Sequence, residues 1–351
     1  MRTRTIAWFL RDPANAHYLS TLRPLLDQLS DAAGVRHHLV VSKSSAPADD
    51  RSDHPIPDDL ADLLVECTDL DGNDLDGYDL VVTPTWLREH ERPRTTPVVQ
   101  TFHGLSDKPF TVERDFSRDT ALLCIGVRHV ERLLRNHKNR RSRCHLVGWP
   151  KFDRMPRDLR RPGARPRVVY APTWRKAGFS SMDAMMSPGV LDALRSAFDV
   201  VIKPHPNLLN PARPFYDHKT AVWLSRIGSV DGVRVVRTAN VLPEFAAADL
   251  CITDASSAGH EWLYFDRPLV ILNPRPGELQ AEADCDGPTY LWRAAQVCDD
   301  PHALTETALG SIEEDNLGQV RRRLLRRSVH DPYGWQAAAR GAAVIASVLR
   351  S

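Results

Sequence analysis

The chain has 351 residues, with 46 Lys and Arg against 45 Asp and Glu, a formal charge of +1, and 42% hydrophobic, 26% charged and 7% aromatic residues. That balance predicts two globular domains and argues against a disordered, fibrous or collagen-like chain. The cancelled charge removes the basic excess of a general nucleic-acid binder, so no nucleic-acid partner is expected.

At the start of the chain the apolar run 5–10 stops at Arg11 and Asp12, too short for the apolar segment of a signal peptide. No stretch approaches the ~20 apolar residues that span a bilayer. The six cysteines, Cys67, Cys124, Cys144, Cys251, Cys285 and Cys298, form no CxxC pair, which points to a reduced cytoplasmic protein without structural zinc.

Strand-length apolar runs then recur at 6–10, 38–41, 79–83, 97–102, 121–126 and 144–148. Between the first two, Leu19, Leu22, Leu25, Leu26 and Leu29 repeat at three- and four-residue steps and predict a helix over 16–29. Alternating strands and helices imply a mostly parallel sheet covered on both faces. The acidic segment 69–79 lacks the ligand spacing and closing Glu of a calcium loop and reads as a solvated loop. Segment 154–167, rich in Pro and Arg, reads as a linker. Strand-length runs resume at 168–172, 200–204, 233–236, 249–254 and 269–272, and an Ala-rich helix is predicted over 335–349 after the turn DPYG. The predicted class is α/β, with two Rossmann-like domains facing a cleft (the GT-B architecture) and a C-terminal helix. The expected divisions are 1–153, a linker 154–167, 168–334 and a terminal helix 335–351.

In parallel sheets ligands lie beyond the carboxyl ends of strands, which makes four strand ends candidates. His103-Gly104 offers an imidazole that can act as a general base, beside a residue that allows a sharp turn. Tyr170–Arg175 (YAPTWR) presents Thr173, Trp174 and Arg175, whose guanidinium suits phosphate oxygens. In Lys203-Pro204-His205-Pro206 two prolines stiffen the backbone around His205. In Asp254–Ser257, two serines at a strand-to-helix turn suit a phosphate, although helix capping is the commoner use of such serines. No DxD pair follows a strand of the second half and no Walker-type loop is present, so neither a metal site nor an obligatory cofactor is expected.

Taken in order, HG at 103–104, YAPTWR at 170–175, KPHP at 203–206 and TDASS at 253–257 resemble the CDP-glycerol glycerophosphotransferase family, the teichoic-acid primases and polymerases of bacterial surface-polymer synthesis. GWPKFD at 148–153 is similar to that family's Gly-x-Pro-Arg-x-Asp segment, with Lys151 in the Arg place and Asp153 kept. The resemblance covers roughly residues 97–275. Ala255 replaces an aromatic residue, Glu261 replaces an Asp, and 105–109 departs from the family's Thr/Ser-Pro on the acceptor side.

The resemblance implies an N-terminal acceptor domain and a C-terminal domain that binds a CDP-alcohol. It implies His103 as general base and His205 at the diphosphate, making these the two catalytic residues. Thr173, Arg175, Lys203, Asp254, Ser256, Ser257 and Glu261 would serve the donor phosphates and nucleotide, Glu261 at the ribose or holding its helix. Gly104 and Lys108 would lie on the acceptor side.

The expected reaction transfers a polyol phosphate, glycerol phosphate as reference case, from CDP-glycerol or a related CDP-polyol to a lipid-linked or saccharide hydroxyl, releasing CMP. It would serve teichoic-acid-like or capsular polymer synthesis. Two alternatives stand beside it: a GT-B glycosyltransferase using a CMP- or UDP-linked sugar, and a non-catalytic nucleotide-binding member of a polymer-synthesis cluster. The basic segments 128–143 and 321–327 read either as solvated helix faces or as peripheral contacts with an anionic membrane at its inner face. The sequence leaves the oligomeric state open.

Overall fold

The structure, a computed structural model, describes residues 3–11, 18–30, 34–43, 56–68, 70–105, 114–174, 178–209, 211, 216–238, 240–282, 287–331 and 334–351. The chain forms two compact units, 1–104 with 110–154 and 326–351, and 105–109 with 155–325. The first holds β1 (Arg4–Leu10), β2 (Val35–Lys43), β3 (Leu64–Thr68), β4 (Leu80–Thr83), β5 (Val98–Gln100), β6 (Ala121–Cys124) and β7 (Cys144–Leu146). All pairs are parallel, in the order β3-β2-β1-β4-β5-β6-β7, with Ile6 paired to both His37 and Leu80.

Because a strand alternates its side chains, β1 buries Ile6, Trp8 and Leu10 on one face of this sheet and Ala7 and Phe9 on the other. Helix Leu19–Leu29 covers the first face with Leu22, Leu25 and Leu26, and the C-terminal helix Ala337–Arg350 joins the same core through Ala342 and Ile345.

The second unit repeats the plan with β8 (Arg167–Tyr170), β9 (Asp199–Ile202), β10 (Val233–Val235), β11 (Leu250–Thr253), β12 (Leu269–Leu272) and β13 (Gln296–Cys298). These six strands, also parallel, run β10-β9-β8-β11-β12-β13. In each sheet the order reverses beside the first strand, so the crevice for a ligand falls between β1 and β4 in one and between β8 and β11 in the other.

Several expectations change. Residues 155–160, expected in a linker, are held to the second unit: Tyr264 Oη donates to the Met155 carbonyl, Arg267 Nη2 to that of Arg157, and Leu159 N to that of Ala246. The acidic segment contains a short helix, Gly72–Leu75, because Asp71 caps it by accepting from Asn73 N and Asp74 N.

The two basic segments are not uniform solvated faces. Arg128 and Arg132 are 2% exposed, and Arg321, 1% exposed, turns inward to Asp315. Arg322 pairs with Asp266 and Arg327 with Glu131. No helix among the described residues is long and apolar enough to cross a membrane.

Candidate functional site

In the second unit β8 and β11 are neighbours, so the YAPT turn and the DASS turn emerge side by side at the switch point, with KPHP after β9 flanking them. A buried polar network ties the first two together. The fully buried Asp254 carboxylate accepts from Thr173 N at 2.9 and 3.1 Å, from Ser181 N at 2.9 Å and from Ser181 Oγ at 3.1 Å. Tyr170 Oη shares a 2.9 Å hydrogen bond with Ser181 Oγ, and Thr253 Oγ1 donates to the Ala171 carbonyl at 2.6 Å. Asp254 therefore clamps both ends of the loop 173–181 through buried hydrogen bonds.

Ser256 is the N-cap of helix Ser257–Trp262, its Oγ accepting from Ala258 N at 3.2 Å, which is the capping use of such a serine. Lys203 is 6% exposed, and burial pushes its ammonium down to about 8 against the opposing carboxylates of Glu261 and Glu244. Its Nζ donates to the Pro204 carbonyl at 3.3 Å. Glu261, 9% exposed, thus places its charge beside Lys203 and couples the KPHP turn to the helix after DASS. His205 and Ser257 are half-buried, and Trp174 lies near His205 with ring centroids 6.3 Å apart. Arg175 lies outside the described residues.

In the first unit His103 follows β5 and reaches across to the turn after β4, where its Nδ1 lies 3.1 Å from the Pro84 carbonyl. A carbonyl only accepts, so Nδ1 carries the proton and Nε2 keeps its lone pair. The sharp bend here falls on Phe102, at φ +56°, and not on Gly104 as expected. Phe102 holds this left-handed conformation by packing edge-on against Phe116 and His129, with centroids 5.2 and 4.4 Å away. A Cβ at Gly104 would meet only Trp149, at an ordinary 3.7 Å.

His103 is open to solvent yet densely surrounded, and its surroundings lower its pKa by desolvation; the Pro84 carbonyl opposes this and the Lys151 ammonium adds to it. Beneath it His129 is fully buried and held down to about 3 by desolvation and by Arg132 and Arg128. Lys108 lies outside the described residues.

The GWPKFD segment divides its labour. Gly148, at φ +93°, lets the His330 carbonyl approach where a Cβ would lie 2.4 Å from it. Lys151 lies over the Trp149 ring, 4.7 Å from its centroid. Asp153 caps the C-terminal helix, accepting from Ala337 N at 3.0 Å and Ala338 N at 2.7 Å.

The sequence reading passed over Tyr18, the Pro84 carbonyl and Ser181. Tyr18 and Ser181 lie outside the strand ends, whereas Pro84 directly follows β4 but contributes only a backbone carbonyl, which no side-chain motif reports. Only the Ser180-Ser181 pair ahead of helix Met182–Met185 offered a signal, that of a helix start. Among the described residues no group of three or more His, Cys, Asp or Glu side chains is arranged to hold a metal ion.

A family model described as CDP-glycerol:poly(glycerophosphate) glycerophosphotransferase matches residues 76–328. No curated protein matches the sequence. Among solved structures, a variant of the wall teichoic acid polymerase TagF superposes with a TM-score of 0.65 at 13% identity, over 99% of this chain and 89% of that one. S. aureus MnaA in complex with UDP gives 0.61 at 14% identity, over 99% and 97%. The UDP-GlcNAc 2-epimerase of Neisseria meningitidis bound to UDP-GlcNAc gives 0.54 at 13%, over 99% of both chains. A further TagF variant was soaked with CDPG. At these identities the structural likenesses establish the two-sheet GT-B-like fold.

Proposed function

Because the chain belongs to the CDP-glycerol:poly(glycerophosphate) glycerophosphotransferase family, and is an enzyme of that kind with CDP-glycerol as the fitting donor, we propose how its residues divide the reaction. The observation that carries the reading is the 3.1 Å contact between His103 Nδ1 and the Pro84 carbonyl: an acceptor there calls for Nδ1–H and leaves Nε2 as the base. An acceptor hydroxyl gives its proton to Nε2 as its oxygen attacks the distal phosphorus of the CDP-polyol. The new phosphodiester forms and the bond to the CMP oxygen breaks. A base so placed accounts for about 10²–10⁴ in rate.

The second unit supplies the donor side. His205, Ser257, the Lys203 ammonium and Arg175 meet the diphosphate, where preorganised donors oppose the charge that grows on the leaving CMP. Asp254 and Thr173 act by holding the loop 173–181, and Ser256 by capping its helix. Glu261 acts through its charge beside Lys203, favouring the ammonium form, a role other than the two expected for it.

The acceptor is a lipid-linked or saccharide hydroxyl of a teichoic-acid-like or capsular polymer. We place the enzyme at the inner face of the cell membrane, with the exposed Arg140, Arg141, Arg323 and Arg326 as headgroup contacts.

Thermal unfolding in the presence of CMP, CDP-glycerol, CDP-ribitol, UDP-sugars and CMP-sugars tests the donor, since a ligand of the native state raises Tm. The expected result is a shift confined to cytidine nucleotides and largest for one CDP-polyol. Stabilisation by sugar nucleotides alone would move the assignment to glycosyl transfer.

A further inference from the structure

His103 is held at two places. Its Nδ1 donates to the Pro84 carbonyl, and one face of the ring lies on the phenol of Tyr18, with centroids 4.3 Å apart and planes 28° apart. Tyr18 immediately precedes helix Leu19–Leu29, whose Leu19, Leu22, Leu25 and Leu26 are locked in the core of the first unit. Its backbone is therefore fixed by a rigid element and not by the turn that carries His103. A carbonyl bond alone leaves the imidazole free to swing about the Nδ1···O direction. A ring stacked on its face removes that freedom, and with it the misdirection of Nε2.

The stack has a second consequence. The face of an aromatic ring carries negative potential, so it interacts better with imidazolium than with imidazole. Desolvation and Lys151 act in the opposite direction on His103, and His129 lies behind Phe102 as a further titratable neighbour. We propose that Tyr18 is a positioning residue for the general base: its ring fixes the plane of His103 so that Nε2 meets the acceptor hydroxyl, and it stabilises the imidazolium formed when that proton arrives. This rests on the reading of His103 as the base.

The test compares Tyr18→Phe and Tyr18→Ala in the full chain, with CDP-glycerol and a poly(glycerol phosphate) oligomer as substrates. Tyr18→Ala should lower kcat about tenfold, leave the KM for CDP-glycerol within about twofold, and move the acid limb of kcat/KM to lower pH. Tyr18→Phe, which keeps the ring, should match the parent. An NMR titration of the His103 imidazole, which needs no acceptor, should show its pKa falling in Tyr18→Ala and holding in Tyr18→Phe. Unchanged kcat and titration in Tyr18→Ala, or equal impairment of both variants, would overturn the proposal. Full activity in His103→Gln would instead sink the base assignment, and the titration would still decide whether the ring face acts on the imidazole.

Discussion

Replacing Asp153 with Ala separates structure from chemistry within a motif that the sequence associates with transfer. Its carboxylate accepts from Ala337 N and Ala338 N, two first-turn amides of a helix whose own N-cap residue, Gln336, makes no side-chain cap hydrogen bond. Loss of a side-chain cap costs about 0.5–2 kcal/mol and loss of an anion at a helix N-terminus about 0.3–1 kcal/mol. Burial works against the charged carboxylate and raises its pKa, which trims the gain. The net cost of Asp153→Ala is about 2 kcal/mol, or a Tm lower by roughly 4–8 °C for a cooperative unit of this size.

Calorimetry gives the shift, and hydrogen exchange should show the loss centred on 337–350. Activity per folded molecule should be unchanged, and Asp153→Asn, which keeps an acceptor, should fall between. The reasoning fails if Asp153→Ala melts with the parent, or if it abolishes turnover without lowering Tm.

The pH profile of kcat/KM should be bell-shaped: the lowered pKa of His103 puts its acid limb below 6.5, and loss of the Lys203 charge with rising pH puts an alkaline limb near 8, which Lys203→Met should remove. Stability should fall as the pH drops below 6.5, because the unfolded chain protonates histidines that the fold keeps neutral. His129, held to about 3, contributes about 1.4 kcal/mol per pH unit over that window, and urea titrations of His129→Gln should show a shallower slope. Gly148→Ala should unfold well below the parent while Gly104→Ala melts with it, since a Cβ collides with the His330 carbonyl at the first and meets only ordinary contact at the second. Asp254→Ala strands the amides of Thr173 and Ser181 and should cost several kcal/mol by denaturant titration, with Asp254→Asn recovering part of it.

The apolar strands were readable because both faces of a parallel sheet are buried, which leaves runs such as VVY at 168–170 and LCIT at 250–253 with little polar interruption. The two strands that the pattern missed, β3 and β13, are sheet edges, where Glu66 and Gln296 interrupt short runs. The segment 154–167 has the composition of a loop, yet Met155 and Arg157 in it are held through their backbone carbonyls by Tyr264 and Arg267, over a hundred residues away. At the candidate site, the strand-end rule singled out the turns that carry His103, Thr173, His205 and Asp254. It could not say that Asp254 is spent on Thr173 and Ser181, nor that Tyr18 lies on His103, because these pairings join residues far apart in the chain.

The most direct test of the account follows the products of CDP-glycerol and a poly(glycerol phosphate) acceptor with the parent chain and with His103→Gln. The expected result is one CMP released for each new phosphodiester, with turnover lower by about 10²–10⁴ in the variant. Turnover undiminished in His103→Gln, or a glycoside made from a sugar nucleotide in place of the phosphodiester, would contradict it.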